Sequence, residues 1–166
     1  VVRNGYHLNT GFLTTPYLCK MLADYGYVET AYKLLLQEDT PGWLYAVKKG
    51  ATTIWESWEG NEGATGVASL NHYSKGAVVS WLFEGICGIH VKGQRILIRP
   101  QVDASLQYAK ATYDSPAGRI QSAWSMENGK VEYCIWIPSN TKAVFVLSDG
   151  SAREQQVREN KFTAEL

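Results

Sequence analysis

Arg119-Ile120-Gln121-Ser122-Ala123-Trp124-Ser125, then Glu127-Asn128-Gly129, then Lys130-Val131-Glu132-Tyr133-Cys134-Ile135-Trp136-Ile137 is the stretch that decides the fold of this chain. Asn-Gly suits a type I′ turn, because both of its residues tolerate positive φ. The flanking runs alternate with a period of two, as half-buried strands do. Working outward, Ser115-Pro116-Ala117-Gly118 reads as a turn, and the run from Leu106 to Asp114 before it reads as extended. Gln94 to Ile98 reads as a strand ending at Pro100, Lys142 to Leu147 as another, and Phe162 to Leu166 as the last, with Asp149-Gly150 turning the chain between those two. Short strands separated by turn signals predict a small antiparallel β-sandwich over residues 91–166.

Upstream of His90 the period changes to that of helices. Thr10 is expected to cap a helix through Phe12, Leu13, Tyr17, Leu18, Met21 and Leu22, with Pro16 near its first turn and Gly26 at its end. Val28, Ala31, Tyr32, Leu34, Leu35 and Leu36 form a second helical pattern with Glu29 near its positive end. Pro41-Gly42 breaks it, and Trp43 to Val47 suits a short third helix that Gly50 stops. After a loop with Gly60, Gly63 and Gly66, a long helix is predicted from Asn71 or Ser74 through Ala77, Val78, Trp81, Leu82, Ile86 and Ile89. Its Gly76, Gly85 and Gly88 are expected to permit close helix–helix approach. Helices first and strands second imply an α+β protein of two segregated modules, 1–90 and 91–166.

Composition narrows the function. The chain has 166 residues, 45% of them hydrophobic, and 16 basic residues balance 16 acidic ones. A neutral chain has no field to draw in a polyanion, so nucleic acid is not expected as a partner. No apolar run reaches membrane-spanning length, so no membrane is expected either. Cys19, Cys87 and Cys134 are odd in number, far apart and without a CxxC, and read as buried free thiols; no metal or cofactor is expected. The chain begins at Val1 without a methionine or a signal-peptide pattern, which reads as a piece of something longer.

Candidate chemistry lies in Ile54-Trp55-Glu56-Ser57-Trp58-Glu59. Indole rings lie against the apolar faces of sugars, and a carboxylate beside them can take a proton. Trp55 and Trp58 would keep water from Glu56, and His72, downstream of a glycine-rich loop, would be a partner or a ligand to a substrate hydroxyl. Glycoside hydrolysis needs two carboxylates, and Glu59 and Glu62 are the other acids close by. From spacing alone the bland readings stay open: Glu56 as a loop or capping acid, His72 as a structural imidazole, Asn71 as a helix cap, and Trp43 as a core anchor.

The motifs around this segment resemble those of a known family. His7-Leu8-Asn9-Thr10-Gly11-Phe12, Thr15-Pro16-Tyr17-Leu18, Leu34-Leu35-Leu36-Gln37, Gly42-Trp43-Leu44-Tyr45 and Gly50-Ala51-Thr52-Thr53-Ile54-Trp55-Glu56-Ser57-Trp58 resemble segments of bacterial α-L-rhamnosidases of glycoside hydrolase family 78. Asn71-His72-Tyr73 with Gly76-Ala77-Val78, Ile98-Arg99-Pro100, Ser115-Pro116-Ala117-Gly118 and Ile137-Pro138-Ser139-Asn140-Thr141 continue the match in the same order. The resemblance implies the last helices of an (α/α)6 barrel followed by a C-terminal β-sandwich. It implies hydrolysis of terminal α-L-rhamnosides with inversion, on a rhamnose-containing glycoside or polysaccharide. Glu56 falls at the general base, and His72, Asn71, Trp55 and Trp58 fall at the sugar side of the site. The family's general acid lies on an earlier part of the barrel that these residues do not include. The missing barrel segment is then an expected partner, and self-association through uncovered helices an expected consequence. A periplasmic or secreted bacterial parent is expected, with a cytoplasmic one as the alternative. Competing with this are a carbohydrate-binding sandwich, with Trp124 and Trp136 as platforms, and an inactive remnant. Both tryptophans lie at even spacing from apolar neighbours, so core packing competes for each.

Overall fold

A computed structural model describes residues 1–60, 68–139, 141–155 and 159–165. Glu62, Gly63, Gly66, Asn140 and Leu166 lie outside the described residues. The chain divides into two compact units, Val1–Val79 and Ser80–Leu166.

In the first unit, α1 spans Leu18–Asp24, α2 Val28–Leu35, α3 Trp43–Lys48 and α4 Tyr73–Gly76. The first helix starts later than Thr10. The Thr10 hydroxyl meets that of Thr15 at 2.9 Å, and Thr15 also donates to the Gly11 carbonyl, so these groups fold a turn ahead of a 3-10 turn at Thr15–Tyr17. Gly26, at φ 85, ends the α1 segment in the left-handed region. α2 buries Ala31, Tyr32 and Leu34 on one face, as its helical period requires.

The long helix predicted from Asn71 to Ile89 is broken. α4 stops at Gly76, α5 is the short Val79–Trp81, and Leu82–Ile86 is a π turn. The chain is extended over Ile89–Lys92. The glycines explain part of this. Gly88, at φ 68, lies against the backbone of Arg99 and Pro100, where an added Cβ would stand 2.1 Å from the Arg99 carbonyl carbon. Gly85 lies under the Trp81 indole. Their close approaches are to a backbone and a ring rather than to another helix.

The second unit holds two four-stranded sheets. β1 (Ile89–Lys92), β2 (Arg95–Ile98), β6 (Lys142–Val146) and β7 (Ala152–Gln155) form one, in the order β1-β2-β6-β7. β3 (Tyr108–Ser115), β4 (Gly118–Glu127), β5 (Lys130–Trp136) and β8 (Glu159–Glu165) form the other, in the order β3-β4-β5-β8. All pairings are antiparallel except β2 with β6, which is parallel. The deciding hairpin forms as read: Glu127 pairs with Lys130, and Asn128 and Gly129 take φ of 52 and 74.

Side-chain parity then sorts the sandwich. Ile120, Ser122 and Trp124 of β4 and Val131, Tyr133 and Ile135 of β5 are buried on one face, and Ile96, Ile98, Ala143 and Phe145 are buried in the other sheet. Phe145 of β6 meets Phe162 of β8 at 5.1 Å, joining the two inner faces. Trp124 donates its indole N–H to the Ile86 carbonyl at 2.8 Å, so the π turn covers one part of this core. Trp136 stands one residue out of phase, opposite Gln121, and is 39% exposed, so core packing does not hold for it. Cys134 shares that outward parity and is half-buried, whereas Cys19 and Cys87 are buried. Burial pushes the Cys19 thiol up to about 12 and the Cys87 thiol up to about 11, which makes both poor nucleophiles. Among the described residues no helix is long and apolar enough to cross a membrane.

Candidate functional site

The Trp55–Gly60 segment is a loop whose backbone is tied at its start. Glu56 N–H donates to the Ser69 carbonyl at 2.8 Å, and His72 N–H donates to the Ile54 carbonyl at 2.8 Å. The Thr53 hydroxyl donates to the Leu70 carbonyl. Two stretches distant in sequence are thereby held side by side, which places Glu56 next to the residues leading into α4. Trp55 packs against Gly60, where an added Cβ would stand 2.7 Å from the indole. Any side chain at position 60 would displace that ring.

Glu56 is half-buried. Its carboxylate Oε2 accepts the Ser69 N–H at 2.8 Å, and its backbone carbonyl accepts the ammonium of Lys75. The nearby Glu59 is held differently. Its two carboxylate oxygens accept the Thr40 hydroxyl at 3.1 Å and the Ser57 hydroxyl at 3.2 Å. Burial pushes its carboxyl up, but its own backbone N–H, those two hydroxyls and the Lys75 charge outweigh this, and it lies below the usual range. A carboxyl held ionised in this way is a poor proton donor.

Trp58 is enclosed on one face. The Lys75 ammonium lies 3.5 Å from its ring centroid, a cation–π contact. Trp43 meets Trp58 edge-on at 5.9 Å and 89°, and donates its indole N–H to the Lys75 carbonyl at 2.9 Å. Trp43 is thus the core anchor that its place after Pro41-Gly42 pointed to. Gly42, Trp43, Ala46, Ile54, Trp55, Ser57 and Trp58 leave a void of about 10 Å³ between them, too small for a sugar.

His72 is the N-cap of α4; its ring meets Phe12 at 4.5 Å, tilted by 34°, and stacks on Tyr73 at 5.8 Å. Its Nδ1 is buried with no hydrogen-bond partner among the described residues. Asn71 is exposed and gives its N–H to the Ser69 hydroxyl at 3.1 Å. The structure therefore brings Glu56, Trp55 and Trp58 together on one loop and ties His72 to it through Ile54. Three residues at this place are not among the candidate site residues: Phe12 and Tyr73, which lie inside the quoted motifs, and Lys75, which lies in none of them. For Lys75 a signal existed, since it is a single cation within the apolar helical run from Asn71 to Val91. Among the described residues no three His, Cys, Asp or Glu side chains cluster as a metal site would need.

Comparison with known proteins places these elements in a wider frame. Residues 1–86 match the family described as bacterial α-L-rhamnosidase 6 hairpin glycosidase domain, and residues 93–162 match the bacterial α-L-rhamnosidase C-terminal domain. An α-L-rhamnosidase of Formosa agariphila is 38% identical over 165 residues, which is 95% of this chain and 18% of that protein. The crystal structure of native α-L-rhamnosidase from Aspergillus terreus superposes with a TM-score of 0.90 at 31% identity, over 97% of this chain and 20% of that one. The Streptomyces avermitilis α-L-rhamnosidase complexed with L-rhamnose gives a TM-score of 0.88 at 30% identity, over 98% of this chain and 18% of that one. This chain thus spans less than a fifth of the length of the curated relatives that it matches.

Proposed function

Because this chain belongs to the bacterial α-L-rhamnosidase family, we propose that it is the C-terminal part of a glycosidase that cleaves terminal α-L-rhamnosides with inversion. In this reading residues 1–90 are the last helices of an (α/α)6 catalytic barrel and residues 91–166 its C-terminal sandwich. Glu56 is the general base that draws a proton from the attacking water. His72, with Asn71, Trp55 and Trp58, stands on the sugar side.

The observation that carries this reading is the contrast between the two neighbouring carboxylates. Glu59 is bound by two hydroxyls and kept ionised, whereas Glu56 is half-exposed with its backbone clamped and, among the described residues, one N–H on its carboxylate. Inversion requires an acid and a base about 6.5–9.5 Å apart with a water between them. An ionised Glu59 is not a proton donor, and in this reading the acid that protonates the leaving oxygen stands on a part of the parent beyond this chain. The rival reading as a sugar-binding sandwich loses one of its two platforms, because Trp124 is buried with its N–H bonded to Ile86.

The test is stereochemical. Hydrolysis of an aryl α-L-rhamnoside by the parent chain, followed by proton NMR, is expected to release β-L-rhamnose first, with the α anomer appearing by mutarotation. Release of α-L-rhamnose first means retention and excludes single-step displacement by a water that Glu56 activates.

A further inference from the structure

Lys75 occupies a position where lysine is rare. The residue is 4% exposed, and lysines are almost never that buried unless something pairs with them. Burial pushes its amine down from 10.5 to about 8, against the attraction of Glu59 and Glu56. Burying an ammonium costs desolvation that an apolar side chain of similar size does not, so packing alone gives no reason for a lysine here. The contacts give one. The ammonium donates to the Glu56 carbonyl and lies on the Trp58 ring at 3.5 Å. The Lys75 carbonyl in turn anchors Trp43, which closes on Trp58 from the side. One side chain thereby fixes both the backbone that carries Glu56 and the indole two residues further on.

We propose that Lys75 is a positioning residue for Glu56: its ammonium clamps the Glu56 carbonyl and the face of Trp58 together, and so sets where the Glu56 carboxylate stands. This rests on the reading of Glu56 as the general base. A misplacement of about 1 Å at a reacting group costs on the order of 100-fold in rate, so a clamp on this backbone acts on the chemical step. The bonds of Glu56 N–H to Ser69 and of His72 N–H to Ile54 do not involve the Lys75 side chain. The loop therefore keeps its path without the ammonium but loses its fine placement.

The experiment uses the full-length parent chain with an aryl α-L-rhamnoside, comparing Lys75→Met, Lys75→Arg, Glu56→Gln and the double variant Lys75→Met with Glu56→Gln. Lys75→Met is expected to lower kcat by about 10-fold or more, with KM within about twofold and a melting temperature equal or higher. Lys75→Arg, which keeps a cation over Trp58, is expected to recover part of the lost kcat. In the Glu56→Gln background, Lys75→Met is expected to cost little more, because the two act as one unit. An unchanged kcat in Lys75→Met overturns the proposal, as does Arg being no better than Met. A loss that appears equally in kcat, KM and melting temperature overturns it too, since that marks a general packing role. If Glu56→Gln itself keeps full kcat, the base reading fails and this inference fails with it. If Glu56→Gln is inactive while Lys75→Met is not impaired, this inference alone fails.

Discussion

The helical unit leaves more of its large apolar side chains exposed than the strand-rich unit does. In the strand-rich unit, Ile96, Ile98, Ile120, Trp124, Val131, Tyr133, Ile135 and Phe145 point inward, and the face of each sheet supplies the cover for the other. In the helical unit, Phe12, Leu13, Tyr17, Met21, Tyr25, Tyr27, Val47 and Tyr73 are exposed, Leu13 at 90% and Tyr73 at 86%. Apolar exposure on that scale is what an interface would cover. The first unit encloses Trp43, Lys75 and Tyr32 but leaves these large apolar side chains uncovered, which fits the proposed reading of it as the end of a barrel.

This comparison can be broken in three ways. The largest effect concerns activity. The 166-residue chain alone is expected to give no turnover of an aryl α-L-rhamnoside, and addition of the upstream residues of the parent is expected to give it. Turnover by the short chain that Glu56→Gln abolishes breaks the claim that the acid lies elsewhere.

The next concerns the two sandwich tryptophans. Trp124→Ala is expected to cost about 3–5 kcal/mol in urea unfolding, because it opens a cavity and orphans the Ile86 carbonyl. Trp136→Ala, on the outer face, is expected to stay within about 0.5 kcal/mol. Equal losses at the two positions contradict the assigned parity.

The smallest is a pH effect inside the helical unit. In the unfolded chain the Lys75 amine returns from about 8 to its ordinary 10.5. Below pH 8 both states are charged and the native state bears the full cost of burying the ammonium. Between about 8 and 10.5 the unfolded state holds more protons, so the contribution of this group to stability rises with pH. Lys75→Met is therefore expected to gain most over the parent residue near pH 7 and least near about pH 10. A stability difference that stays constant or widens with rising pH contradicts the burial of a charged amine at this position.

Much of the sandwich was legible because its signals are local. Asn128-Gly129 fixes a turn by backbone conformation alone, and the alternation on either side follows from it. β1 was hidden because Ile86 and Ile89 continue a helical spacing across the π turn, while Gly93, at φ 60, marks the real reversal between Lys92 and Arg95. β7 was hidden because Ala152-Arg153-Glu154-Gln155 has no apolar alternation and forms by pairing with β6. The break of the long helix was illegible for a similar reason: it depends on Gly88 meeting Arg99 and Pro100, a contact between segments distant in sequence. At the site, Trp55, Glu56 and Trp58 were legible as a cluster on one loop. Lys75 was not, because its role depends on a carbonyl and a ring that fold back onto it from another loop.

The central claim is that Glu56 activates the water, and its most direct test is kcat for Glu56→Gln in the parent chain. The substitution keeps the size of the side chain and leaves the Ser69 N–H an oxygen to bond, but removes the base. A fall of about 10²–10⁴ in kcat with little change in KM is the result expected of a lost general base. A kcat within a few-fold of the parent would contradict the account.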